Sequence, residues 1–252
     1  MKQRNIFLAI IILFVGILFA GVFLFSACDM KNQWMMDKYY ESGDNREVLR
    51  YLKNNGDVNI EYKDDIGTRA SLAGIALFRD KKGTDVFYMI FNNPDFDLKK
   101  ELSRDYNMVH AAASSNEAEI LREILRRMKN QQLSVKDINV KKYYPLTFAA
   151  AEGSMEAAKV LIFEYEFDVN GMQNSEADTP LHAAAWEGHR QMLEFLIESG
   201  ADYTLRGVYN QTARKSVEEL LKEVSDGWTP QKRADYEEIL KLLPVPQEVS
   251  AE

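Results

Sequence analysis

Three histidines, one cysteine and a scatter of loop acids are the residues in this 252-residue chain that could do chemistry. A nucleophile–base pair needs a histidine free to take a proton from a serine or cysteine. A metal centre needs Cys, His or Asp at ligand spacing, and no such set exists around His110, His182 or His189. Asp64, Asp65, Asp95 and Asp97 lie in loops and do not follow a calcium-loop pattern, and no glycine-rich phosphate loop is present. The chain is therefore expected to use no cofactor and no metal. Its formal charge of −8 argues against nucleic acid as a partner.

The cysteine is more informative. Cys28 closes an apolar run, Ile6 to Phe25, of 20 uncharged residues that follows Lys2 and Arg4. Positive, apolar, then small residues is the order of a signal peptide. The run exceeds the usual ~7–15 residues of a signal core and suffices to span a bilayer at ~1.5 Å per residue. Two readings follow: a cleaved signal, or an uncleaved single-pass anchor with Lys2 and Arg4 on the cytoplasmic side and Cys28 incidental. Leu24-Phe25-Ser26-Ala27-Cys28 resembles the lipobox of bacterial lipoproteins, with Phe25 where leucine is usual. The resemblance implies cleavage before Cys28, with acyl chains including palmitate on that residue; several chains anchor far more firmly than one. Asp29 resembles the retention signal for the inner membrane. Both readings put the rest of the chain on the periplasmic side. Loss of residues 1–27, which hold Lys2, Arg4 and no acid, takes the formal charge from −8 to −10.

The elements that must position any site come from an internal repeat. Its clearest copy is Asp178-Thr179-Pro180-Leu181-His182-Ala183-Ala184-Ala185-Trp186-Glu187-Gly188-His189, continuing through Met192-Leu193-Glu194-Phe195-Leu196-Ile197 to Gly200-Ala201-Asp202. Thr179 can cap a helix, Pro180 suits its first turn, and Gly188 supplies a positive φ at its end. Leu193, Leu196 and Ile197 give a second helix its core face. Weaker copies begin at Tyr144-Pro145-Leu146-Thr147 and at Asn107-Met108-Val109-His110. The starts at 107, 144, 179 and 212 are spaced by 37, 35 and 33 residues. The pattern resembles the ankyrin repeat, whose period is about 33 residues.

That resemblance implies an all-α ankyrin-repeat solenoid of about six helix pairs with β-hairpin-like loops, preceded by an N-terminal apolar signal or anchor helix. Degenerate repeats are expected over 31–106, clearer ones over 107–210 and a C-terminal capping pair over 211–243. The capping helices are expected at Thr212 to Val224 and Ala234 to Leu243, and residues 244–252 read as a disordered tail. It also assigns the three histidines to structural positions, two in T-P-L-H slots and one after a turn glycine. No histidine then remains for catalysis, and no enzyme is expected.

Recognition is the remaining function class. By the resemblance, the variable positions before the turn glycine are Trp186 and Glu187, Ala151 and Glu152, and Ser114 and Ser115. Trp186 is either an interface anchor or a packing residue for the next repeat. Loop-tip candidates are Lys141 and Tyr143, Glu176 and Asp178, and Tyr209 and Gln211, with both tyrosines readable as contact or packing residues. The loops mix both charges, so no electrostatic class of partner is implied. Lipid-anchored ankyrin proteins resemble immunity proteins that neutralise periplasm-acting toxins such as phospholipases. The alternative is a scaffold or protective partner that holds a periplasmic enzyme, for example a peroxide-detoxifying one, at the membrane.

Overall fold

A computed structural model describes residues 32–39, 41, 44–63, 69–79, 85–134, 138, 144–172, 178–223 and 228–245. Cys28, Asp29 and the apolar run before them lie outside the described residues, as do Lys141, Tyr143, Glu176 and positions 246–252. Contacts divide the chain into two units, Met1–Gly56 and Asp57–Glu252. In the first, helix α1 (residues 32–39) and helix α2 (Arg46–Lys53) bury Met35, Met36, Tyr39 and Val48.

The second unit opens with a short hairpin. Strand β1 (Glu61–Lys63) pairs antiparallel with β2 (Arg69–Ser71), Glu61 opposite Ser71. Helix pairs follow: α3 (Leu72–Arg79) with α4 (Asp85–Phe91), α6 (Met108–Ser114) with α7 (Ala118–Asn130), and α8 (Pro145–Ala151) with α9 (Met155–Lys159). Next come α10 (Pro180–Glu187) with α11 (Arg190–Glu198), and α12 (Ala213–Glu223) with α13 (Pro230–Leu242). The α9 helix runs into a π-helical turn, Val160–Glu164. Among the described residues there are six such pairs, counting α1 with α2.

Within the second unit the first helix of each pair packs on the first helix of the next, in the order α3, α6, α8, α10, α12. Alanines line this row: Ala111, Ala112, Ala113, Ala149, Ala150, Ala184 and Ala185 are all buried. Their small side chains let backbones approach closely. The second helices carry the bulkier apolar face; on α7 it is Ile120, Leu121, Ile124, Leu125 and Met128, spaced three and four apart.

Three of the pairs, α6–α7, α8–α9 and α10–α11, turn at a residue of positive φ: Asn116 at 57°, Gly153 at 65° and Gly188 at 83°. Adjacent pairs are then joined by one recurring bond at this turn. The carbonyl of Ser114 accepts from the Ser154 hydroxyl at 2.8 Å. The carbonyl of Ala151 faces His189 Nε2 at 2.8 Å, and that of Trp186 accepts from the Tyr236 hydroxyl at 2.6 Å. The three carbonyls occupy equivalent positions, and a hydroxyl, an imidazole and a phenol serve the same purpose. Close approach explains one glycine: a Cβ on Gly153 would lie 2.8 Å from His189 Nδ1.

Two features depart from the sequence expectation. Helix α13 begins at Pro230 rather than near Ala234, because the Thr229 hydroxyl caps it from Lys232 N and Pro230 occupies its first turn. An unforeseen helix, α5 (Leu98–Leu102), sits between α4 and α6, capped by Asp97, whose carboxylate accepts from Lys100 N at 2.9 Å. It delivers a buried ion pair. Glu101 accepts from Arg104 Nη1 at 3.2 Å, from the Ser71 hydroxyl at 2.5 Å and from Met108 N at 3.0 Å. Arg104 also donates to the carbonyl of Asn59 and pairs with Glu61 at 3.6 Å. Burial pushes the Glu101 carboxyl up, against the pull of Arg104 and the Ser71 and Met108 donors. The cluster ties the hairpin, α5 and the start of α6 together.

Removing one partner of such a pair strands the other. Arg104→Met is expected to lose roughly 3–5 kcal/mol of stability at neutral pH, read from the midpoint of urea unfolding at constant slope. A loss within experimental error would show that Glu101 is held by Ser71 and Met108 alone.

Candidate functional site

The start of α10 is built from the Thr179-Pro180-Leu181-His182 run. The Thr179 hydroxyl oxygen accepts from His182 N at 3.3 Å and lies 2.8 Å from His182 Nδ1, which also accepts from Thr179 N. With Nδ1 accepting, the ring proton sits on Nε2 and is donated to the carbonyl of Gln211 at 3.0 Å. His182 thus fixes the cap of its own helix and grips the loop of the next pair. Asn107 and His110 form the equivalent cap at α6: Asn107 Oδ1 accepts from Val109 N at 3.0 Å, and His110 Nδ1 accepts from Asn107 N at 3.1 Å. His189 is the residue that bridges to Ala151. All three histidines are engaged in backbone bonding. At α8 the same slot holds Thr147, whose buried hydroxyl has no hydrogen-bond partner among the described residues.

Beside His182 the chain makes an open groove. It is lined on one side by Asp178, Trp186, Val208, Tyr209 and Gln211, and on the other by Ser216, Glu219, Leu220 and Glu223 of α12, enclosing about 600 Å³. Asp178 Oδ1 accepts from Val208 N at 3.0 Å and so ties the loop to the foot of α10. The side-chain amide of Gln211 donates to Glu219 at 2.5 Å, and Ser216 donates to Gln211 Oε1 at 3.3 Å. Trp186 is 48% exposed and Tyr209 88% exposed. Tyr209 stands at φ 61°, a left-handed conformation that non-glycine residues rarely adopt. The Trp186 backbone is fixed through its carbonyl by Tyr236, so the indole is presented from a rigid support. Two exposed aromatics on one concave surface are the composition of a protein-contact site.

Residues 109–207 match the family described as ankyrin repeats (3 copies). This stretch is an ankyrin array. Its relatives include alpha-latrocrustotoxin-Lt1a of Latrodectus tredecimguttatus, 32% identical over 126 residues, which is 50% of this chain and 8% of that protein. The E3 ubiquitin-protein ligase XBAT32 of Arabidopsis thaliana is 37% identical over 73 residues, 27% of this chain and 13% of the relative. Alpha-latroinsectotoxin-Lt1a is 36% identical over 64 residues, 25% of this chain and 4% of the relative. The chain thus spans a small fraction of each relative's length, and the likeness is one of repeats. Ankyrin repeats are modules for binding other proteins.

The fold brings four of the sequence-derived candidates to one groove: Asp178, Trp186, Tyr209 and Gln211. Glu187 and Glu152 are exposed at the ends of α10 and α8 and do not line it. Tyr209 is not a packing residue, given its exposure. Sequence reasoning missed Val208 and the α12 contribution of Ser216, Glu219, Leu220 and Glu223. The signal was the i, i+3, i+4, i+7 spacing of these four, which puts them on one helical face. Among the described residues, no group of three or more His, Cys, Asp or Glu could hold a metal ion, and no helix is long and apolar enough to cross a membrane.

Burial lowers the affinity of His182 for a proton; the Gln211 carbonyl and the charge of Asp178 oppose this without reversing it. The folded value is below the unfolded one, so the unfolded chain binds more protons in the window between them. The neutral ring's contribution is complete above the unfolded value of about 6.5 and is lost as pH falls through the folded one. Melting temperature should therefore fall between about pH 7.5 and pH 5, and His182→Gln should melt lower at pH 7.5 but with a shallower slope. An unchanged slope would place the pH dependence on other groups.

Proposed function

We propose that this chain is a membrane-tethered periplasmic binding module, an immunity protein that neutralises a periplasm-acting toxin such as a phospholipase. The observation that carries the recognition role is the groove: Trp186 and Tyr209 stand exposed together on a rigid ankyrin support. Masking an enzyme's active surface calls for a large preformed face, which stacked repeats supply without folding on contact. The tether rests on the Leu24–Cys28 sequence, and Asp29 favours the inner membrane. With only five residues between Cys28 and Trp34, the repeats begin close to the lipid.

Two measurements test this reading. Trp186→Ala should reduce capture of the partner from a membrane fraction by tenfold or more, as expected for an interface anchor worth about 1.4 kcal/mol or above, with little change in melting temperature. Undiminished capture, or a large drop in melting temperature, would remove Trp186 from the interface. Cys28→Ala should abolish palmitate labelling and release the chain from the membrane, and labelling that persists would refute the tether. Deletion of the gene should sensitise cells to a toxin encoded beside it, and cells no more sensitive than before would refute the immunity role.

A further inference from the structure

We infer that the groove takes a cationic, arginine- or lysine-bearing segment of the protein it binds; the inference rests on the protein-binding reading above and names the chemistry of the partner. The lining holds three carboxylates, Asp178, Glu219 and Glu223, and no lysine or arginine. Glu223 makes no hydrogen bond or ion pair among the described residues, and it is exposed. Asp178 spends one oxygen on Val208 N and leaves the other without a described partner. Glu219 is the better satisfied of the three, with Gln211 on one oxygen and Lys215 at 3.5 Å from the other. That lysine is the nearest countercharge, and at this distance and exposure the pair is weak. Of the arginines near the groove, Arg214 pairs with Glu218 and donates to the carbonyls of Leu240 and Leu243, and Arg206 donates to the carbonyl of Asn210.

The apolar part of the groove fits the same occupant. Arginine and lysine carry a hydrophobic stem below a charged head. Trp186 and Tyr209 offer exposed ring faces to such a head, and a cation over an indole face is attracted by the ring quadrupole. Val208 and Leu220 offer the stem an apolar wall. An anionic segment meets three carboxylates with only Lys215, 3.5 Å from Glu219, to offset them, and an uncharged one leaves Glu223 and Asp178 uncompensated. The mixed charges of the loops seen in sequence therefore resolve, in this groove, to one sign.

The test uses the full-length chain in mild detergent and a fluorescein-labelled peptide of alternating arginine and glycine, read by anisotropy. Versions with citrulline or glutamate in place of arginine serve as probes of charge. The arginine peptide should bind, and its affinity should fall with rising salt. Glu219→Gln/Glu223→Gln should weaken it by about tenfold or more. Asp235→Asn/Glu237→Gln, which removes the same charge from α13 outside the groove, should leave affinity within about twofold. If the groove variant loses its helical circular dichroism, Glu223→Lys, at an exposed and unbonded position, carries the same comparison. The inference is overturned if the citrulline or glutamate peptide binds as tightly, if no peptide binds, or if the α13 variant weakens binding as much as the groove variant. The two readings fail differently. Partner capture lost in Trp186→Ala but untouched by Glu219→Gln/Glu223→Gln removes the cationic partner and leaves the binding role, whereas capture indifferent to Trp186→Ala removes the role itself.

Discussion

The stack of helix pairs depends on a bond that no single repeat can make. A helix leaves its last carbonyls without intrahelical partners, and here one carbonyl at the end of each of α6, α8 and α10 is answered by the following pair. Ser154 answers Ser114, His189 answers Ala151 and Tyr236 answers Trp186. The donor stands just past the turn in two cases and on α13 in the third. The geometry is kept and the chemistry is not, because any donor of the right reach can satisfy a carbonyl. This bond sets the spacing of neighbours at one edge, while the alanine row sets it at the centre. Together they hold the loops of adjacent pairs close enough for His182 to reach the carbonyl of Gln211. The groove beside His182 is a by-product of that spacing.

The hairpin end of the array is held by different means. Between α4 and α6 the repeat is interrupted by α5, and the interruption carries charge into the interior. Glu101 pairs with Arg104 and also accepts from Ser71 and Met108, while Arg104 reaches the carbonyl of Asn59 and, through Nε at 3.6 Å, the carboxylate of Glu61. A buried pair is weak evidence for net stability but strong evidence for register, since any slip leaves a charge without its partner. In the degenerate part of the sequence, specific polar contacts are thus added to the apolar ones of α3 and α4.

This division explains what could be read from residues alone. Thr179, Pro180, Leu181 and Gly188 act within one helix, so their order announces the element they build. The alanine pairs and the aliphatic spacing of α7 and α11 are likewise local. The Glu101 cluster was silent because its partners lie 30 residues upstream at Ser71 and 45 away at Asn59. The α12 side of the groove was silent for another reason: Glu219, Leu220 and Glu223 look like the ordinary solvent face of a terminal helix until the Val208–Gln211 loop is set beside them. Trp186 was visible as an oddity, but whether its ring faced a neighbour or an opening depended on a carbonyl bond to Tyr236, 50 residues later.

That carbonyl bond has an evolutionary consequence. Ser114, Ala151 and Trp186 share one position, and at Trp186 the scaffold uses the backbone oxygen while the indole stands half-exposed. The indole takes no part in that bond, so a substitution at Trp186 is felt more by a partner than by the fold. A lineage whose partner changes can exchange the indole at this position while the carbonyl bond to Tyr236 is kept. Architecture and specificity are thus inherited on separate atoms of the same residue.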